Sequence, residues 1–117
     1  MGVEYELINI TKKEKITFMH LPCGKEREIV GNPVSTAITS WYLLKHSGDE
    51  IGFIPDQGDL PFNTIKLEDT YMYKDVTEEV INELIDKQII KDYGLRYIDE
   101  DEPEIYIRDL RNIWMED

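Results

Sequence analysis

One cysteine, two histidines and no apolar run longer than Trp41-Tyr42-Leu43-Leu44 set the first limits on this chain of 117 residues. Cys23 has no intrachain partner for a disulfide, and a lone thiol is most at home in a reducing compartment, so a cytoplasmic location is expected. Four apolar residues fall far short of the roughly 20 that cross a bilayer. The start, Met1-Gly2-Val3-Glu4-Tyr5-Glu6, lacks the basic opening and apolar stretch of a secretory signal. Glu6 stands where a myristoylation pattern needs Ser or Thr. His20, His46 and Cys23 cannot supply the paired ligand spacings of a Cys/His zinc site. No GxxxxGK[ST] or GxGxxG string occurs, and Gly24-Lys25 has no glycine-rich loop before it. No cofactor and no metal are expected.

Cations are scarce in the second half. Residues 1–48 carry 6 Lys/Arg against 5 Asp/Glu, whereas residues 49–117 carry 7 against 20. A field that lopsided repels nucleic acid and anionic membrane and attracts basic surfaces. Disorder is nevertheless not expected, because seven Tyr, two Trp and three Phe are far more aromatic content than disordered chains carry. A chain of this length buries a true core without disulfides or metal, and 1–117 reads as a single domain.

The elements follow from periodicity. Val3 to Ile10 alternates as a half-buried strand, Thr11 to Lys15 forms a basic hairpin tip, and Ile16 to Met19 returns. Leu21-Pro22-Cys23-Gly24 ends that strand, and Lys25 to Val30 suits one helical turn. Asn32-Pro33 opens a helix with Asn as cap, Val34, Ala37, Ile38, Trp41 and Tyr42 line one face, and Gly48 closes it. His46 then falls in the last turn, where an imidazole suits the helix dipole. Ile51 to Ile54 is a short strand and Asp56 to Thr64 a loop, with a weaker strand expected over Thr70 to Tyr73. Asp75 caps a helix with Val80, Ile81, Leu84, Ile85 and Ile89 as its stripe, ending near Gly94. Leu95 to Ile98 reads as a strand. After Pro103, Tyr106, Ile107, Leu110, Ile113 and Trp114 suit a helix, although Ile105 and Ile107 alone also suit a returning strand; the helix is expected. The sum is an α+β fold: an N-terminal β-hairpin and a short mixed or antiparallel sheet packed by two to three helices.

Candidate chemistry is sparse. Lys25 and Arg27 could lower the Cys23 pKa, but a phosphatase loop needs Arg six positions on, where Ile29 stands. The plain alternative is a thiol packed in a turn. Asp56-Gln57-Gly58-Asp59 offers two carboxylates without the calcium-loop pattern. With 25 acids in the chain, paired carboxylates arise by chance and single out no catalytic residue. The run from Thr77 to Asp109 (helix, strand, turn, strand) resembles in architecture the last helix and wing of a winged-helix domain. That resemblance implies DNA binding through basic residues, yet the tip would be Asp99-Glu100-Asp101-Glu102 and the helix bears Glu78, Glu79, Glu83 and Asp86. Those charges oppose approach to phosphate.

The reading that survives is a small acidic protein-binding module that covers a basic surface on a partner protein. Immunity proteins that neutralise nuclease toxins, and nucleic-acid mimics, work by this physics. Asp99, Glu100, Asp101, Glu102 and Glu104 are the expected electrostatic contacts, extended by Asp56 and Asp59, with Tyr71 and Tyr73 as anchors. No enzymatic activity is expected. The rival is a ligand pocket or enzyme site in the 56–73 loop, walled by Trp41, Tyr42, Tyr71 and Tyr73. A third possibility is self-assembly through an apolar strip at Ile113-Trp114-Met115.

Overall fold

A computed structural model describes residues 3–18, 20–21 and 23–114. Met19, Pro22 and Met115, to which the expectations for the second strand, the turn after it and the C-terminal strip extend, lie outside the described residues. The N-terminal alternation becomes β1 (Tyr5–Asn9), and the chain returns as β2 (Glu14–Ile16), two residues earlier than expected. Two short helices follow, α1 (Glu26–Gly31) and α2 (Pro33–Lys45), then β3 (Ile51–Pro55). Beyond a loop come a 3-10 helix (Leu67–Met72), β4 (Lys74–Asp75), α3 (Thr77–Asp86), β5 (Ile90–Tyr97) and β6 (Tyr106–Asn112). The described elements form the α+β arrangement expected, a four-stranded mixed sheet in the order β3-β1-β2-β4 and a separate β5-β6 ribbon, packed by helices. None of the helices among the described residues is long and apolar enough to cross a membrane.

Alternation divides the larger sheet cleanly. Leu7 pairs with Ile16 on one side and Phe53 on the other, and this face meets Ile38, Val80, Ile81 and Leu84 of α2 and α3 in the main core. The opposite face presents Ile8 and Ile54, both essentially inaccessible to solvent. The segment 56–73 covers it: Phe62 lies so close to Gly52 that a Cβ there would come within 2.8 Å of the ring, and Thr70 is buried. A side chain at position 52 would lift this cover, so only glycine suits the position.

Capping fixes the helix starts. The Asn32 side chain accepts from the Val34 and Ser35 N–H groups at 2.8 and 3.3 Å. The N-cap of α3 is Val76 rather than the expected Asp75; Asp75, one residue earlier, accepts from the first helical amide, Thr77 N, at 2.9 Å, while its other oxygen accepts from the Thr17 hydroxyl at 2.8 Å. One carboxylate thus starts the helix and ties it to the end of the hairpin.

Three further expectations are corrected. Residues 106–112 form β6, not a helix: Tyr106, Ile107 and Leu110 satisfy both periods, and the pairing partner in β5 decides for the strand. Thr70 to Tyr73 is not a strand, because the chain coils into the 3-10 helix with the Thr70 hydroxyl donating to Leu67 O at 2.7 Å. The last turn of the expected third helix is absent; α3 ends at Asp86, Gln88 takes φ 62°, and Ile89 lies in the turn. Gly94, expected near the helix end, instead sits at φ 107° in the bulge where β5 slips against β6 between Asp92 and Leu95.

Candidate functional site

The five tip acids stand together at the end of the β5-β6 ribbon. Two successive turns shape them: Glu102 N donates to Asp99 O at 3.1 Å and Ile105 N to Glu102 O at 3.0 Å, while Asp101 N donates to the Asp99 side chain at 2.9 Å. Asp99, Glu100, Asp101, Glu102 and Glu104 are all exposed. Among the described residues none of them enters an ion pair, nor does Asp56 or Asp59. Several acids elsewhere do enter ion pairs, among them Asp49, Glu78, Glu79, Glu83, Asp92 and Asp109. Arg108, almost enclosed, joins Asp92 at 2.7 Å and Glu78 of α3 in close contact. Burial works against its charge, but the hydrogen bonds to Glu78 and Asp92 outweigh that and raise its pKa. This bridge fixes the ribbon to α3, so the tip is carried by a braced stem.

The loop supplies a second, distinct location. Tyr71 is 64% exposed and Met72 89%, on the outer side of the 3-10 helix. Tyr73 is only half-exposed, with its pKa raised by burial and then by the nearby charges of Asp69 and Glu50. Asp69 is occupied in accepting from Lys66 N at 2.8 Å. Asp56 and Tyr71 do come together, with Glu6 and Lys15, around a cavity of about 130 Å³. Asp59 is exposed in the same loop. Trp41 and Tyr42 belong elsewhere: Lys87 lies over the Trp41 ring at 4.6 Å, and the Tyr42 hydroxyl donates to Glu14 at 2.8 Å. The pocket expected from those two with Tyr71 and Tyr73 therefore does not form.

A larger cavity, about 530 Å³, opens instead between β1 and the segment linking β2 to α1. Glu4, Glu6, Glu28 and Asp56 provide carboxylates, opposed by Lys25, with His20 and Cys23 also in its wall. Glu6 belongs to both cavities and has its pKa raised by burial, only partly offset by Lys15. Phe18 and His20 both adopt left-handed backbone, at φ 56° and 65°, a conformation costly for side chains of that size. The His20 ring stacks on Tyr106 at 3.7 Å and its carbonyl accepts from Arg108 N at 2.9 Å, which links this wall to the ribbon. Cys23 is buried and its thiol is pushed up to about 11, chiefly by burial, which disfavours the thiolate form. No three His, Cys, Asp or Glu side chains among the described residues converge closely enough to hold a metal ion.

Sequence reasoning missed this cavity. Its acids come from three separate stretches, and three of the four lie in the nearly neutral first half of the chain. Comparison with known family models, curated proteins and solved structures gives no significant match. Function must then be argued from the sites themselves.

Proposed function

We propose that this protein is a small acidic protein-binding module, of the inhibitor, immunity or nucleic-acid-mimic kind, that covers a basic surface on a partner such as a nuclease toxin or a nucleic-acid-binding protein. The observation that carries this reading is that none of the tip acids enters an ion pair among the described residues. Five exposed carboxylates within six residues, shaped by consecutive turns on a braced ribbon, face an incoming surface together. Complementary charge of this kind steers encounter and raises association rates about 10- to 1,000-fold at low salt. Tyr71 supplies an exposed aromatic anchor, and Tyr73 a partly committed one.

The test begins with affinity capture from the native host's lysate, eluted by rising salt, to obtain the partner. Association of that partner is then measured with a variant carrying Asp99→Asn, Glu100→Gln, Asp101→Asn, Glu102→Gln and Glu104→Gln. Association should slow at least tenfold at low salt and lose most of its salt dependence. A rate indistinguishable from that of the parent protein removes the tip from the interface.

One observation favours a second reading, the 530 Å³ cavity, which is large enough for a small ligand. Its carboxylates suit a cationic group. Of the 56–73 loop expected to hold such a site, only Asp56 reaches it. Amide shifts confined to Tyr5, Thr17 and Gly24 on titration with an arginine- or polyamine-type compound would support it.

A further inference from the structure

The acids of the ribbon tip are framed by two exposed isoleucines. Ile98 is 64% accessible and Ile105 42%, and no cation lies between these positions. The last registered pair of the ribbon is Tyr97 with Tyr106, and just beyond it Ile98 N donates to Ile105 O at 3.4 Å. The two isoleucines therefore stand side by side at the base of the acidic turns. Their footing is fixed. Tyr97 meets Tyr106 edge-on, ring centroids 6.2 Å apart, and Tyr106 is itself stacked on His20. With the Arg108 bridge, these contacts set the place of the apolar pair before any partner arrives.

An exposed isoleucine pair is covered favourably only by another apolar surface. The carboxylates beside it decide what surrounds that surface: Asp99, Glu100, Asp101, Glu102 and Glu104 repel an acidic rim and favour Lys and Arg. We infer that the tip is a two-part docking surface, on which Ile98 and Ile105 seat against the aromatic or aliphatic centre of a partner protein's surface while the acids meet a rim of Lys and Arg. Proteins that take up single-stranded nucleic acid carry such a surface, with cations along the phosphates and aromatic side chains under the bases. A surface that contacts only duplex phosphates offers the isoleucines no counterpart. This docking surface rests on the acidic-module reading above and narrows its partner to the first class. It also puts an anchor at the tip itself, apart from Tyr71 on the 3-10 helix. The two parts act on different rates. The acids speed association in a salt-dependent way, whereas the covered isoleucines slow dissociation with little response to salt.

Calorimetric titration with two synthetic peptides of equal length and charge, one of lysine and tryptophan and one of lysine and serine, reads the two parts separately. Each is measured in about 50 mM and about 150 mM salt. The parent protein should bind the tryptophan peptide about tenfold or more tighter than the serine peptide at both salts. Ile98→Thr combined with Ile105→Thr should bring the two peptides within about threefold of each other, while both keep their salt dependence. Threonine retains the β-branched shape, and circular dichroism verifies that the variant folds. The variant with all five tip carboxylates neutralised should bind both peptides about tenfold or more weakly at the lower salt. A tryptophan peptide no tighter than the serine peptide, an advantage that survives both threonines, or one lost instead in Tyr71→Ser, overturns the isoleucine anchor and leaves the acidic reading standing. Peptides that bind the neutralised variant as tightly as the parent, or that do not bind the parent at all, overturn the acidic reading and the two-part surface with it.

Discussion

Asn9 joins the hairpin to α2 through a polar cluster inside the fold, and replacing it with Leu tests whether that cluster stabilises. Its side chain is fully buried, donates to Tyr42 Oη at 3.1 Å and to Asp49 at 2.9 Å, and accepts from Lys12 N at 3.0 Å. Leu has similar size and none of these bonds. The two bonds to uncharged partners are each worth about 1 kcal/mol net, so losing them costs roughly 2 kcal/mol. Apolar burial returns part of this. Tyr42 keeps its bond to Glu14 and Asp49 keeps Lys12 at 3.1 Å, so neither is stranded. A net loss of about 1–2 kcal/mol in urea unfolding at pH 7 is expected. Tyr42→Phe, alone and combined with Asn9→Leu, should show coupling of about 1 kcal/mol. Acid adds a second signature. The Asn9 hydrogen bond is the leading cause of the lowered Asp49 pKa, so its share of stability is complete above the ordinary value of 3.8 and is lost as pH falls through the lower, folded value. The gap between parent and variant should therefore narrow in strong acid. An Asn9→Leu variant as stable as the parent at pH 7 would show that desolvating this cluster costs as much as its bonds return.

Glu6 titrates with the opposite sign: burial raises its pKa, so stability falls as pH rises above its ordinary value of 4.5, and Glu6→Gln should raise the urea midpoint at pH 7 while leaving it nearly unchanged at pH 4. An equal change at both pH values would remove the charge of Glu6 as the cause. Cys23, buried and shifted to about 11, should react with a thiol reagent at pH 8 far more slowly in the folded protein than in urea. Equal rates would mean that its wall of the larger cavity opens readily.

Where a residue's role is set by its neighbours in sequence, it was legible. Asn32 followed by Pro33 announces a helix, because cap and first-turn chemistry are local, and the Asn32 side chain does accept from Val34 and Ser35. Thr77 to Leu84 declares its buried face at helical spacing for the same reason. Tyr106 to Leu110 does not, since its apolar positions suit either period and only a partner strand distant in sequence resolves them. Phe18 and His20 are less legible still: no glycine or asparagine marks their left-handed backbone.

Charge shows the same division. Counting along the chain locates the acidic ribbon tip, because its five acids are contiguous apart from Pro103 and a turn must project them together. The same count makes residues 1–48 nearly neutral and so hides the carboxylates of Glu4, Glu6 and Glu28 at the larger cavity. Folding separates opposite charges that sequence averages. Lys12 is drawn away to Asp49, and Lys13 lies at the exposed hairpin turn, leaving Lys25 as the cation in the wall with Lys15 acting on Glu6 from the smaller cavity. What an approaching cation meets depends on which charges share a face and how far water is excluded between them. A half-buried carboxylate such as Glu6, weakly compensated, can therefore matter more to a ligand than several solvated acids on the tip, even though the tip dominates the net charge.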